Sequence, residues 1–315
     1  MDVMVIGEPL IEFSAPAPLT EADTFQLSFS GDALNAAVAA AAAGAHAALV
    51  TFVGDDEFGE RLIRFAAGRG VDTRWMRRGA GSTGAYAVGA DPGGDRAFAY
   101  MRACSAASRM GPADLTDVPL GETAVLLVSG ITSALSDSCA RAVRHAAATV
   151  HGAGGGVVYD PNYRFRLTGP QAAREALEAV APYAALVTPS CPGDSGPLLG
   201  ADDPEKAARA CLGLGARAVA VTLGPEGVLV GERGADGVRL RRVPAIPARK
   251  IVDQTGAGDA FAGTLAARMA AGDELADAVR AGTAAAAISL EGQGGTGRVA
   301  TGEEIRRLLD GTRSP

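Results

Sequence analysis

Residues 253–259 read Asp-Gln-Thr-Gly-Ala-Gly-Asp and run directly into Ala-Phe-Ala-Gly-Thr-Leu-Ala-Ala. A glycine turn opening an apolar helix presents the N–H groups of Gly256, Ala257 and Gly258 at a helix N-terminus, where unsatisfied donors and the helix dipole favour an anion. Asp259, in the first helical turn, is a carboxylate beside that anion hole and suits a general base. By themselves the same residues also suit an ordinary helix start, because the dipole favours an acid there.

Other segments carry polar groups at spacings that suit ligands. Ser30-Gly31-Asp32-Ala33-Leu34-Asn35 is a glycine turn before a helix. Asp32 and Asn35 could hold a hydroxylated ligand, and Ser30 or Asp32 would serve equally as an N-cap. Tyr86 and Tyr100-Met101-Arg102 place two phenols and a guanidinium on neighbouring strands. Residues two apart in a strand share a face, and a guanidinium fork matches a carboxylate. Asp160-Pro161-Asn162-Tyr163-Arg164 follows an apolar run, at the carboxyl end of a strand where α/β sheets bind ligands. Its polar groups could face a phosphate, and Asn with Pro also makes a simple turn. Thr222-Leu223-Gly224-Pro225-Glu226-Gly227 reads by itself as a hairpin turn. There is no Gly-x-x-x-x-Gly-Lys-[Ser/Thr] motif and no Gly-x-Gly-x-x-Gly after the first strand. Walker-type and dinucleotide-type phosphate sites are therefore unsupported, and so is a nicotinamide dehydrogenase.

These residues need a scaffold, and the hydrophobic pattern supplies one. Val3–Ile6 is a buried strand, 33–44 an alanine-rich helix, 47–53 a strand and 57–68 a helix, the alternation of a mainly parallel sheet covered by helices. Residues 83–102 instead read as two strands around Asp91-Pro92-Gly93-Gly94-Asp95, and 8–30 looks similar, so both segments are expected in a small β-lid. Alternation then resumes. Strands are expected at 124–129, 156–160, 184–188, 218–223 and 227–231, and helices near 136–151, 171–180, 204–214, 257–271, 273–291 and 302–310. Gly292 to Gly297 reads as the most flexible stretch.

Composition sets limits. The 315 residues carry a net charge of −7, and no basic stripe offsets it, so nucleic acid is not an expected partner. Arg74, Arg77 and Arg78 read as a solvated surface. The acidic N-terminus does not suit a signal peptide, and the weakly apolar stretch 36–50 is too short to span a bilayer. A soluble, cytoplasmic protein is expected. Cys104, Cys139, Cys191, Cys211 and the histidines lack metal-ligand spacing.

Together the segments resemble the ribokinase-like (PfkB) carbohydrate kinase family, from Val3 to about Leu290. Gly31-Asp32-x-x-Asn35, continuing into Val53-Gly54-Asp55-Asp56-x-Phe58-Gly59, is similar to the family's N-terminal signature. Asp253-x-Thr255-Gly256-Ala257-Gly258-Asp259-Ala260-Phe261 is similar to its C-terminal one. Within the family, Tyr86, Tyr100-x-Arg102-x-x-Ser105-Ala106-Ala107-Ser108 and Asp160-Pro161-Asn162-Tyr163-Arg164 resemble the 2-keto-3-deoxygluconate kinases. The resemblance implies a three-layer α/β/α fold over residues 1–315 as one kinase domain, with lid segments at about 8–30 and 80–105.

The resemblance also implies sugar contacts from Gly31, Asn35, Tyr86, Tyr100, Arg102 and Arg164, to which the turn reading adds Asp32, and ATP contacts from Asn162, Arg164, Thr222, Gly224, Gly227, Gly256 and Gly258. It makes Asp259 the base, Mg²⁺ the companion of ATP, and Asp253 a candidate for a monovalent-cation site such as K⁺. A sugar acid is preferred over fructose, ribose, an amino sugar or a nucleoside because its carboxylate needs a cation, and Arg102 could supply one. The lid sheet is expected to leave an apolar face open to a homodimer or higher oligomer.

Three departures stand out. The family's polar Asn-x-x-Glu motif, which helps organise Mg²⁺ and its waters, is replaced by Pro189-Ser190-Cys191-Pro192-Gly193-Asp194-Ser195-Gly196-Pro197. Asp194 is the candidate substitute, acting through a metal-bound water. This stretch is the one support for a catalytically weak sugar-binding regulator. Gln254 replaces a frequent Thr, and Cys104 a common glycine.

Overall fold

The computed structural model describes residues 1–89, 98–234 and 237–311. The strands are β1 (Val3–Ile6), β2 (Leu10–Ala15), β3 (Gln26–Ser30), β4 (Ala47–Gly54), β5 (Met76–Gly79), β6 (Ala85–Gly89), β7 (Phe98–Met101), β8 (Val125–Ser129), β9 (Gly156–Asp160), β10 (Leu186–Val187), β11 (Ala218–Thr222), β12 (Val228–Gly234) and β13 (Gly237–Val243). The helices are α1 (Asp32–Ala42), α2 (Glu57–Gly68), α3 (Gly130–Ala134), α4 (Asp137–Gly152), α5 (Pro170–Val180), α6 (Ser195–Leu199), α7 (Pro204–Gly213), α8 (Ala257–Ala270), α9 (Leu275–Ser289) and α10 (Gly302–Gly311).

Among the described residues, nine strands form one sheet in the order β13-β12-β11-β10-β9-β8-β1-β4-β5. Pairing is parallel from β11 through β5 and antiparallel at β11–β12 and β12–β13. Strand β1 shows why both faces are covered. Val3 and Val5 join the core beneath α1, α8 and α9, whereas Met4 and Ile6 join the opposite core beneath α4, α5 and α7. A strand buried on both faces reads as a continuous apolar run. The expected three-layer α/β/α class is the one observed.

The second sheet is the lid, ordered β3-β2-β6-β7. Tyr86 pairs with Tyr100 and Val88 with Phe98, as the hairpin reading of 83–102 requires; the Asp91–Asp95 turn lies outside the described residues. The lid's apolar face is less open than expected. Phe29 packs on Phe65 and Phe13 on Phe58, with ring centroids 4.7 and 6.1 Å apart, so α2 covers much of it. Met101 and Phe25 remain exposed.

Two strands lie outside the expected set. β5 contains Arg77 and Arg78, which pair with Asp117 and with Asp55 and Glu60, while Arg74 pairs with Asp72. β13 alternates Val238 and Leu240 with arginines on the sheet edge, the kind of charge that discourages edge-to-edge pairing. No helix among the described residues is long and apolar enough to cross a membrane.

The contact that positions the site is α1 against α8. α1 is rich in alanine and α8 in alanine and glycine, and a Cβ at Gly263 would stand 2.1 Å from the Ala36 carbonyl oxygen. Side chains this small let the two backbones approach closely and bring their N-terminal ends together under the lid.

Candidate active site

A cleft of about 1120 Å³ opens at the carboxyl ends of the parallel strands, with the lid along one wall. Parallel α/β sheets bind ligands at this edge because the loops and helix N-termini gather there. Gly31, Asp32 and Asn35 reach the cleft from the start of α1, and Tyr86, Tyr100 and Arg102 from the lid. Asn162 and Arg164 reach it from the loop after β9, and Thr222 from the end of β11. Asp194, Asp253, Gly256, Gly258 and Asp259 complete the expected residues that line it.

The structure places the other three expected residues differently. Gly224 and Gly227 lie beyond the lining; Gly227 makes the turn into β12, where a Cβ would meet the Val243 carbonyl at 2.2 Å. Ala257 is also absent from the lining, and its N–H donates to the Gln254 carbonyl at 3.3 Å within the turn.

Gly256 caps α8 in the left-handed conformation, φ 79°, which glycine adopts without strain. The turn is held by Asp253, one oxygen of which accepts the Thr255 N–H at 2.7 Å and the other the Gly294 N–H at 2.8 Å. Asp253 therefore shapes the turn before α8 and ties it to the glycine-rich loop beyond α9. In that loop the Thr296 hydroxyl donates to the Phe29 carbonyl of the lid at 2.6 Å.

Asp259 accepts a 2.8 Å hydrogen bond from Asn35 Nδ2, across the α1–α8 contact. Burial, and then the Asp32 carboxylate, push its pKa up to about 7; Asn35 and the Arg164 charge pull the other way. A carboxylate titrating near neutrality is matched to accepting a proton from an alcohol. A base must be ionised to act, so kcat/KM is expected to rise with pH on an acid limb near 7 and to level off above it. A flat profile between pH 5 and 8 would contradict this.

Asp160 lies in the same carboxylate group. Burial, Asp194 and Asp259 hold its pKa well above the usual range, and Arg164 opposes them. Asp194 is already engaged. One oxygen accepts the Tyr163 N–H at 2.7 Å, and the other accepts the Ser190 N–H at 2.7 Å and the Ser190 hydroxyl at 2.6 Å. It latches the loop after β10 to the loop after β9. Among the described residues no group of three or more His, Cys, Asp and Glu side chains could hold a metal ion.

The lid contains two residues that sequence reasoning passed over. Glu8 is 1% exposed, and its Oε2 lies 2.5 Å from Arg102 Nη2, while its Oε1 accepts from Ser105. Arg102 thus already has an ion-pair partner within the lid. Burial raises the Glu8 pKa and the arginine opposes that rise. Glu12, also buried, accepts the Tyr86 hydroxyl and the Ser28 hydroxyl, the latter at 3.0 Å. Burial and this carboxylate raise the phenol pKa, so Tyr86 stays neutral. A signal for Glu12 was available, an acid among the apolar residues of Leu10–Phe13 in a strand. Thr188, which also lines the cleft, has a buried hydroxyl with no partner among the described residues.

A three-layer α/β/α core with a β-lid over an aspartate at a glycine-turned helix start defines a phosphotransferase of the ribokinase-like class. Residues 1–301 match the pfkB family carbohydrate kinase model. The chain belongs to this family and is a carbohydrate kinase. It is 35% identical to a 2-dehydro-3-deoxygluconokinase from Thermoproteus tenax, covering 98% of this chain and 94% of the relative. It is 31% identical to fructokinase-1 from Oryza sativa subsp. japonica, covering 98% and 97%. Among solved structures it is similar to a ribokinase II from E. coli in complex with ATP and Mg²⁺, with a TM-score of 0.87 and 26% identity over 98% of both chains.

Proposed function

We propose that the protein transfers the γ-phosphoryl group of ATP to the primary alcohol of a sugar acid, 2-keto-3-deoxygluconate, giving the 6-phosphate. The observation that carries this reading is one cleft holding the Asp259–Asn35 pair at the α8 N-terminus together with two lid phenols and a lid arginine. Asp259 accepts the hydroxyl proton as the oxygen attacks phosphorus. The N-terminal N–H groups of α8, around Gly256 and Gly258, steady the charge on the transferred group. Tyr86, Tyr100 and Arg102 hold the sugar, and lid closure over it limits loss of ATP to water.

The residues fit ATP and its Mg²⁺ in kind. A left-handed glycine cap opens α8 onto the cleft, and the buried Thr188 hydroxyl is unpartnered among the described residues. Asn162, Arg164, Thr222, Gly256 and Gly258 would hold the nucleotide. Mg²⁺, bound mainly by phosphate oxygens and water, would neutralise phosphate charge. The E. coli relative with ATP and Mg²⁺ supports this pairing.

A second reading is a neutral-sugar kinase, and the Glu8–Arg102 ion pair favours it because Glu8 offsets the charge that a carboxylate would seek. The rice fructokinase relative points the same way. Turnover of 2-keto-3-deoxygluconate, fructose and ribose, followed by coupled ADP detection, separates the two. A kcat/KM at least about tenfold higher for the acid supports the first reading, a preference of about 1.4 kcal/mol. A preference for fructose or ribose overturns it.

A further inference from the structure

Gly295 lies between the catalytic turn and the first helix. It has no unusual backbone requirement, since its φ is not among the positive values. What it lacks is room. A Cβ there would stand 2.3 Å from Asn35 Nδ2, 2.6 Å from Asn35 Oδ1 and 2.7 Å from Asn35 Cγ, and these are its nearest neighbours. Its flanks are anchored on both sides, Gly294 by its N–H to Asp253 and Thr296 by its hydroxyl to Phe29 of the lid. Gly295 therefore cannot withdraw freely. Asn35 is 5% exposed, and its Oδ1 has no partner among the described residues, so the amide is held in place by packing, by its 2.8 Å bond to Asp259 and by a longer bond, 3.4 Å, from the same Nδ2 to Ser30 Oγ.

We propose that Gly295 is a positioning residue for phosphoryl transfer: its missing side chain leaves the space in which Asn35 is pressed onto Asp259. The inference rests on Asp259 being the base of the carbohydrate kinase. The groups that face Asp259 are Asn35 and Asp32 from α1, and Arg164 and Asp160 from the segment ending β9 and following it. Asp32 raises its pKa, and Asn35 and Arg164 lower it. Displacing Asn35 removes a donor to the carboxylate, so the base becomes harder to ionise.

The test is a cycle of Gly295→Ala, Asn35→Ala and the double variant, assayed for sugar phosphorylation across pH 5.5–9 with melting temperatures recorded. Gly295→Ala alone is expected to lower kcat/KM at pH 6.5 by about tenfold or more, the loss of one hydrogen bond to a charged group, and to move the acid limb to higher pH. Asn35→Ala should give a similar loss and shift. In the Asn35→Ala background the added methyl has space, so the double variant should match Asn35→Ala alone. Losses that multiply in the double variant, or an acid limb that Gly295→Ala leaves in place, would overturn the proposal. If Gly295→Ala does not fold, the double variant still decides, because relief of the clash predicts a folded protein and persistent misfolding sinks the idea. Wild-type turnover separates this from the underlying reading: no sugar phosphorylated by the wild type removes the reading, whereas an active wild type with multiplying losses removes only the role of Gly295.

Discussion

Asp259→Asn lowers kcat by about 10²- to 10⁴-fold, the usual contribution of a positioned general base, while ATP binding is retained. The substitution keeps the side-chain shape, and its amide oxygen can still accept from Asn35, so the change is confined to basicity. It also removes a buried acid that Asp32 opposes. Sign matters for the control. A carboxyl whose folded pKa is raised binds more protons folded than unfolded, so it costs stability as pH rises from its unfolded value through about 7. The variant is expected to melt no lower than wild type at pH 8, which separates lost chemistry from lost fold. Near wild-type turnover with unchanged melting would remove Asp259 from the base role.

Arg102→Ala raises KM for the sugar acid by about ten- to a hundredfold, the range of a charge-assisted hydrogen bond of 1.5–3 kcal/mol, and changes KM for fructose or ribose little. The ion pair adds a second effect. Glu8 is 1% exposed, and removing one partner of a buried pair costs about 3–5 kcal/mol when the other charge stays stranded. Burial already raises the Glu8 pKa, so protonation of Glu8 relieves part of that cost at low pH. Combining Glu8→Gln with Arg102→Ala removes the stranded charge. This double variant should regain most of the lost melting temperature and still bind the acid sugar poorly. An unchanged ratio of acid to neutral KM in both variants would mean that Arg102 does not read the carboxylate.

Much of the fold was legible because its signals are local. The alternation of apolar runs with helical stretches placed α2, α7 and α8 within a residue or so of their observed bounds. β13 was missed although Val238 and Leu240 alternate with Arg239 and Arg241, because an arginine-rich strand at a sheet edge looks like a solvated loop. The loop after β10 was harder still. Cys191-Pro192 is a cis peptide, and the role of Asp194 depends on the Tyr163 N–H supplied by another loop.

The same division runs through the site. Glycine before a helix with an acid in its first turn is a local pattern, set by N–H donors that lack partners and by the helix dipole. By itself the sequence therefore determined the glycine turn that opens α8, the candidate base Asp259, the α/β class and the lid strands that carry Tyr86, Tyr100 and Arg102. Only the tertiary structure decided how those groups are charged and held. Asn35 reaches Asp259 because small residues let α1 and α8 touch, and Gly295 leaves space for it. Arg102 faces Glu8 and Tyr86 faces Glu12 across the lid, and Asp253 is engaged by Gly294. Each of these depends on burial and on a partner far away in the chain. A carboxylate's charge and an arginine's freedom are properties of those surroundings, and residue order alone does not contain them.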